Sequence, residues 1–254
     1  MFTDRLAGIT HEIVFRWLRR FGPRRSVILS QDPLVSVVCV SNRPDQLGHI
    51  LEQYSSQSGA RTELILVTNA PNYAGPARSA CETIDDATVI ETDASVSLGS
   101  ALNRGFAAAS GEVIAKFDDD DWYSPTYVAE ACEVMREHGS GVVGKKTYFV
   151  YFEAPDETMR LYSGNEDTRV GRLAGGTIVA HRDVCEQVSF ADITLGEDVR
   201  FVRAAERRGF AIYGADARGY LQLRSTTHTW KIDDKKLAAD GILIGSGRRR
   251  EYWL

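Results

Sequence analysis

Val113-Ile114-Ala115-Lys116-Phe117-Asp118-Asp119-Asp120-Asp121-Trp122 is a short, mostly apolar run that stops at four consecutive aspartates. The run reads as a strand buried on both faces, of the kind found in parallel sheets. Four adjacent carboxylates at a strand end repel one another. A divalent cation removes that repulsion, and hard cations such as Mg²⁺ or Mn²⁺ take oxygen ligands and share them with substrate phosphates. In an extended segment alternate residues point the same way. Asp118 and Asp120 are therefore expected to face one ligand together, with Asp119 and Asp121 on the other side. The competing interpretation is a solvated acidic loop, or a cap for the helix that follows Pro125. Position decides for the cation, because ligands of α/β sheets bind at the carboxyl ends of the strands.

The same kind of run recurs at Leu34 to Val40, Glu63 to Thr68 and Thr88 to Glu91. Helical spacing separates the runs: Leu47, Ile50, Leu51 and Tyr54, then Cys81 and Ile84, then Leu102, Phe106 and Ala109. Strand and helix thus alternate from about residue 34 to 138, which predicts a doubly wound α/β sandwich with a central, mostly parallel sheet. After residue 140 the rhythm changes. Short strands are expected at Val142-Val143, Tyr148 to Phe152, Thr177 to Ala180, Ala211 to Tyr213 and Tyr220 to Leu223, with helices near 127–138 and 198–209. The expected organisation is one continuous domain over residues 30–235, a basic amphipathic helix over 1–25 and a basic, aromatic tail over 236–254. That helix rests on Phe2, Leu6, Ile9, Ile13, Trp17 and Phe21, which recur at spacings of three and four.

The 254 residues are 43% hydrophobic and 26% charged, ordinary for a globular protein and wrong for a disordered or fibrous one. No run reaches about 18 apolar residues, so no membrane-spanning helix is expected. Residues 1–25 lack the compact apolar run and cleavage site of a secretory signal. Cys39, Cys81, Cys132 and Cys185 are far apart and are expected as reduced, mostly buried thiols, not as a disulfide framework or zinc site. The net charge of −5 argues against a nucleic-acid partner. That average hides two basic ends. Residues 1–25 hold six arginines against Asp4 and Glu12, and Arg248, Arg249 and Arg250 face only Glu251. The N-terminal segment is expected either to pack on the domain or a second subunit, as in a homodimer, or to lie on an anionic bilayer. The expected location is cytoplasmic, with peripheral contact at the inner face of the membrane as the open alternative.

Four segments in order, VSVVCVSNRP (35–44), ELILVTNA (63–70), LGSALNRGFAAASGEVIAKFDDDDWYSP (98–125) and GGTIVAHRDV (175–184), resemble the family 2 glycosyltransferases of the GT-A fold. The resemblance spans about 200 residues, and the Gly-Glu-Val-Ile-Ala-Lys-Phe-Asp lead-in makes it specific. It implies an inverting hexosyltransferase that uses a nucleotide-diphosphate sugar and a divalent metal on the diphosphate. Carried onto this sequence, Asp120 is the direct metal ligand. Asp118 contacts the ribose or binds the metal through water, and His228 supplies a further ligand that tilts the metal toward Mn²⁺ over Mg²⁺. Asp198 of Gly196-Glu197-Asp198 is the catalytic base, with Glu197 as the fallback. The resemblance also implies nucleotide or donor contacts from Ser41, Asn69, Asn103, Asp118, Asp119 and Gly176. The Gly175-Gly176 pair would admit the donor close to the backbone. Where relatives carry an Asp pair after the second strand, this chain has Thr68-Asn69, which leaves the base of the nucleotide open. The acceptor is a glycan, glycolipid or small-molecule hydroxyl.

Two rivals stand beside this expectation. A sugar-1-phosphate nucleotidyltransferase would carry a Gly-rich basic loop after the first strand, and Ser41-Asn42-Arg43-Pro44 is not one. A non-catalytic nucleotide-sugar binding module would have no need of the aspartates, Glu197-Asp198 and His228 together.

Overall fold

The computed structural model describes residues 24–225, 233–239 and 241–254. The expected helix over 1–25 lies outside the described residues apart from Arg24 and Arg25, and so does His228. The first half of the chain runs β1 (Leu34–Ser41), α1 (Leu47–Ser55), β2 (Arg61–Thr68), α2 (Ala74–Cys81), β3 (Ala87–Glu91), α3 (Leu98–Ala108), β4 (Val113–Phe117), β5 (Trp122–Tyr123) and α4 (Tyr127–His138). There follow β6 (Val142–Gly144), β7 (Tyr148–Phe152), β8 (Glu157–Leu161), β9 (Thr168–Arg169), β10 (Val179–His181) and α5 (Arg182–Cys185). The described chain ends with α6 (Glu197–Arg207), β11 (Ile212–Gly214), β12 (Tyr220–Arg224), α7 (Asp234–Ala238) and β13 (Gly241–Ser246).

The larger sheet has the order β3-β2-β1-β4-β10-β6-β11-β9. β1 pairs in parallel with β2 (Leu34 opposite Arg61) and with β4 (Val35 opposite Val113). These strands are near-continuous apolar runs because helices cover both faces: Val35, Val38, Leu64, Leu66, Val113 and Ile114 are all fully buried. α3 packs on β1 and β2. The Ser97 hydroxyl caps it by accepting from the Ser100 N–H at 3.2 Å. The strand order reverses between β1 and β4, so a crevice opens at their carboxyl ends. Beyond β4 the sheet is mixed, since β10 runs antiparallel to both β4 and β6, and β9 antiparallel to β11.

A second sheet, ordered β13-β8-β7-β12-β5, stands beside the first. It takes in part of the segment expected as a basic, aromatic tail. β13 lies antiparallel along β8, with Gly241 opposite Leu161. Trp253 is buried against Phe149, Ala217 and Leu221, and its carbonyl accepts from the Gly219 N–H at 2.7 Å. A buried Trp removes enough apolar surface from water to hold the tail in place. Among the described residues no helix is long and apolar enough to cross a membrane.

Candidate active site

The crevice at the ends of β1 and β4 is a cavity of about 620 Å³. It is bordered by Asn69 from the end of β2, by all four aspartates, by Gly175, and by Glu197 and Asp198 at the start of α6. The second sheet contributes Gln222 and Arg224 of β12.

The aspartates do not alternate as the extended geometry predicts. β4 ends at Phe117, and Asp119 and Asp120 form a turn before β5. Reversal of the chain brings these neighbours onto one cation. Arg43 donates to Asp119 from Nε at 3.0 Å and also contacts it through Nη2, which lies 2.9 Å from Asp120. The Ser41 hydroxyl donates to Asp119 at 2.7 Å. Asp121 is withdrawn from the cleft chemistry. Its carboxylate takes the Tyr220 hydroxyl and the Leu223 N–H (3.0 Å), and it pins the turn to β12. Burial pushes Asp121 well above the usual carboxylate range, with Asp120 and Asp118 adding to the effect. Burial also raises Asp120 to about 6, against the opposing pull of Arg43 and with the support of Asp119 and Asp118.

The two acidic ends meet at Gly175-Gly176. A Cβ on Gly175 would lie 2.8 Å from Oδ2 of Asp198. A Cβ on Gly176 would lie 2.8 Å from carboxylate oxygens of both Asp118 and Asp121, and 2.9 Å from the Tyr220 hydroxyl. The glycines therefore make room for the chain's own carboxylates. Tyr123 locks this contact: its hydroxyl accepts the Asp118 N–H at 2.9 Å and donates to the Gly176 carbonyl at 2.8 Å. Gly176→Ala is expected to cost about 1–3 kcal/mol of stability, because the Asp121 carboxylate, buried and bonded to Tyr220 and Leu223, has no room to retreat. Chemical denaturation reads this directly, and an unchanged midpoint would show that the junction relaxes freely.

Lys116 sits beneath the same junction. Its side chain is 3% exposed and its ammonium is ion-paired with Asp118. Burial works against its charge, yet Asp118, Glu197 and Asp198 together hold its pKa above the usual lysine value. Glu197 is buried, and Asp198, half-buried, borders the cavity beside it. Burial raises Glu197 to about 7, with Lys116 opposing and Asp198 adding. The linkage has a definite sign. A carboxyl whose pKa is raised on folding holds its proton longer in the native state. Its contribution to stability is complete below the unfolded value of about 4.3 and is lost as pH rises through about 7. Glu197→Gln lacks that loss, so its stability relative to wild type is expected to rise by about 1–3 kcal/mol from pH 5 to pH 8. Melts at the two pH values test this, and a constant difference would rule it out.

Of the residues singled out from sequence, Asn69, Asp118, Asp119, Asp120, Glu197 and Asp198 border one cavity. Asn103 does not. Its amide donates to the Phe190 carbonyl (2.9 Å) and accepts the Phe190 N–H (2.8 Å), so it is a fastener between α3 and the loop before α6. Ser41 is buried behind Asp119 and holds that carboxylate without bordering the cavity. Gly176 likewise faces carboxylates of the chain. Sequence reasoning missed Arg43 and Lys116. A lysine inside an otherwise apolar strand was the available signal, since buried lysines are rare unless paired. Among the described residues no group of three or more His, Cys, Asp or Glu side chains is arranged to hold a metal.

Residues 36–184, more than half of the chain, match the family described as Glycosyl transferase family 2. The putative glycosyltransferase EpsH of Bacillus subtilis (strain 168) is 28% identical over 131 residues, which cover 51% of this chain and 38% of that protein. The structure of S. aureus TarS 1–349 in complex with UDP-GlcNAc superposes with a TM-score of 0.63 at 14% identity, covering 81% of this chain and 63% of that one. The mannosyltransferase PcManGT from Pyrobaculum calidifontis, in complex with GDP-Man and Mn²⁺, superposes with a TM-score of 0.61 at 16% identity, covering 85% and 63%. The chain thus spans less than two thirds of each of these proteins. The structural likeness carries the fold, and the architecture is the GT-A type expected from the sequence. Together with the matched segment, it establishes that the chain belongs to glycosyl transferase family 2.

Proposed function

We propose that this chain transfers a sugar from a nucleotide-diphosphate sugar to an acceptor hydroxyl, with inversion at the anomeric carbon and with Asp198 as general base. One observation carries the reading: a single cavity is bordered both by the acidic end of β4 and by the Glu197-Asp198 pair. Inversion needs a carboxylate on the acceptor side, apart from the leaving diphosphate, within hydrogen-bond reach of the attacking hydroxyl. Asp198 suits the task better than Glu197, because Glu197 is buried and Asp198 is half-exposed in the cavity. The first turn of a helix is a rigid place to hold it. Asn69, at the end of β2, offers an amide that both donates and accepts toward a nucleotide base. The complexes of the similar structures, with UDP-GlcNAc and with GDP-Man and Mn²⁺, support a donor of this class.

The donor set suits a divalent cation, Mn²⁺ or Mg²⁺. Asp120 is a carboxylate crowded by Asp118 and Asp119 and raised toward neutrality, and such ions use one or two carboxylates and complete their shell with substrate phosphates. Asp120 would hold the ion directly and Asp118 through water. His228 would add a ligand from the segment between Arg224 and Asp234, which are themselves bonded at 2.6 Å beside the cavity. When bound, the ion offsets the negative charge that develops on the leaving diphosphate. Thermal shift with UDP-, GDP- and dTDP-sugars, each with Mn²⁺ and with chelator, tests the reading. At least one donor is expected to stabilise the protein only in the presence of the metal. Absence of any metal-dependent stabilisation by a nucleoside diphosphate would defeat it.

A further inference from the structure

The outer face of α6 carries Arg200, Arg203 and Arg207, and Arg208 follows at its end; all four are exposed. Spacings of three and four place the first three within a roughly 60° arc of the helix, about 10 Å long. The opposite face is buried through Phe201, Val202 and Ala205. Among the described residues none of the four guanidinium groups has a hydrogen-bond or ion-pair partner. The acid on this stretch, Glu206, lies 3.8 Å from Arg24.

A second basic element joins the fold at the same place. The Arg25 N–H donates to the Gly209 carbonyl at 2.9 Å, and the Arg25 guanidinium lies 4.7 Å from the centre of the Phe210 ring. The sequence that leads into Arg24 contains Arg5, Arg16, Arg19 and Arg20 and the apolar series Phe2, Leu6, Ile9, Ile13, Trp17 and Phe21. Arg24 and Arg25, into which it leads, lie at the end of α6 that carries Arg207 and Arg208. The other basic end of the chain is partly engaged. Arg248 stacks 4.3 Å from the Trp122 ring, and Arg249 pairs with Glu251 at 3.6 Å.

We infer that the arginine face of α6 docks on an anionic lipid bilayer. The arginines alone would suit any polyanion. The apolar series that precedes Arg24 in the sequence favours a bilayer, which offers acyl chains as well as negative headgroups, whereas a soluble polyanion offers charge only. Each basic residue near such a surface raises partitioning about fivefold. The inference does not depend on the proposed catalytic roles.

Sedimentation of the full chain with vesicles tests it. Wild type is expected to bind phosphatidylcholine–phosphatidylglycerol vesicles and not phosphatidylcholine vesicles. R200Q/R203Q/R207Q is expected to bind the anionic vesicles about 100-fold more weakly. R200K/R203K/R207K keeps the charge and is expected to retain binding, which separates loss of the surface from loss of the fold. R249Q/R250Q is expected to bind as wild type within about twofold. Equal binding by wild type and the glutamine variant would overturn the inference, as would a larger loss in R249Q/R250Q. Tight binding of long-chain polyphosphate without any partition onto anionic vesicles would also overturn it, in favour of a soluble polyanion.

Discussion

Asp198→Asn is expected to lower the transfer rate about 10²–10⁴-fold while leaving donor affinity near that of wild type. The substitution keeps the size of the side chain and removes its ability to take a proton. Because a Cβ on Gly175 would come within 2.8 Å of Oδ2 of Asp198, the carboxylate lies against backbone that has no side chain, and the isosteric amide fits the same space. Asp198 is not among the residues that bond the aspartate turn, which is held by Arg43, Ser41, Tyr220 and Leu223. Donor binding at that turn should therefore survive. Glu197→Gln is the internal control. Its carboxyl is buried, so its loss should affect stability with pH more than it affects the chemical step. Single-turnover transfer with a donor shown to bind, measured for both variants, separates the two roles. Full transfer by Asp198→Asn would remove it as the base, and a larger loss in Glu197→Gln would move the role to that residue.

The sequence pattern located the first four strands of the larger sheet and the acidic end of β4 because those features are local. A β-branched run covered on both faces announces itself, and a strand order that places β1 beside β4 brings its carboxyl end to the crevice. What failed to show was set by distant partners. Asn103 is indistinguishable in sequence from an amide that contacts a nucleotide, and its engagement depends on Phe190, 87 residues away. The alternation expected for Asp118 to Asp121 assumed an extended chain. The turn at Asp119-Asp120 is fixed instead by Arg43 and by Tyr220, neither adjacent in sequence. β8 and β13 escaped notice because Glu157 to Leu161 is short and mixed in polarity, and Gly241 to Ser246 finds its register only against it. The basic, aromatic tail was legible as composition only, because the burial of Trp253 depends on Phe149, Ala217 and Leu221, all distant in sequence.

Lys116→Met is expected to destabilise the protein by about 2–3 kcal/mol, a large share of the stability of an ordinary domain. In β4, Lys116 stands two residues before Asp118 and points to the same side of the strand, so its ammonium reaches that carboxylate from within the core. Its backbone is fixed by pairing opposite Val38 and by the N–H bond to the Ile178 carbonyl at 2.8 Å. Methionine fills nearly the same space, so packing is conserved and the change isolates the charge. What remains is Asp118, Glu197 and Asp198 facing one another across the edge of the cavity without the Lys116 cation among them. Removing one partner of such a pair is costlier than the pair is stabilising, because the Asp118 carboxylate left behind has lost its counter-ion and keeps only part of its hydration. That asymmetry yields a second, sharper expectation. Asp118→Asn combined with Lys116→Met should cost less than the sum of the single changes, with a coupling of at least about 1 kcal/mol. Urea denaturation of the two single variants and the double variant measures it. Additive losses would mean that Lys116 stabilises the strand by packing alone and that the two acidic ends are not joined through its charge.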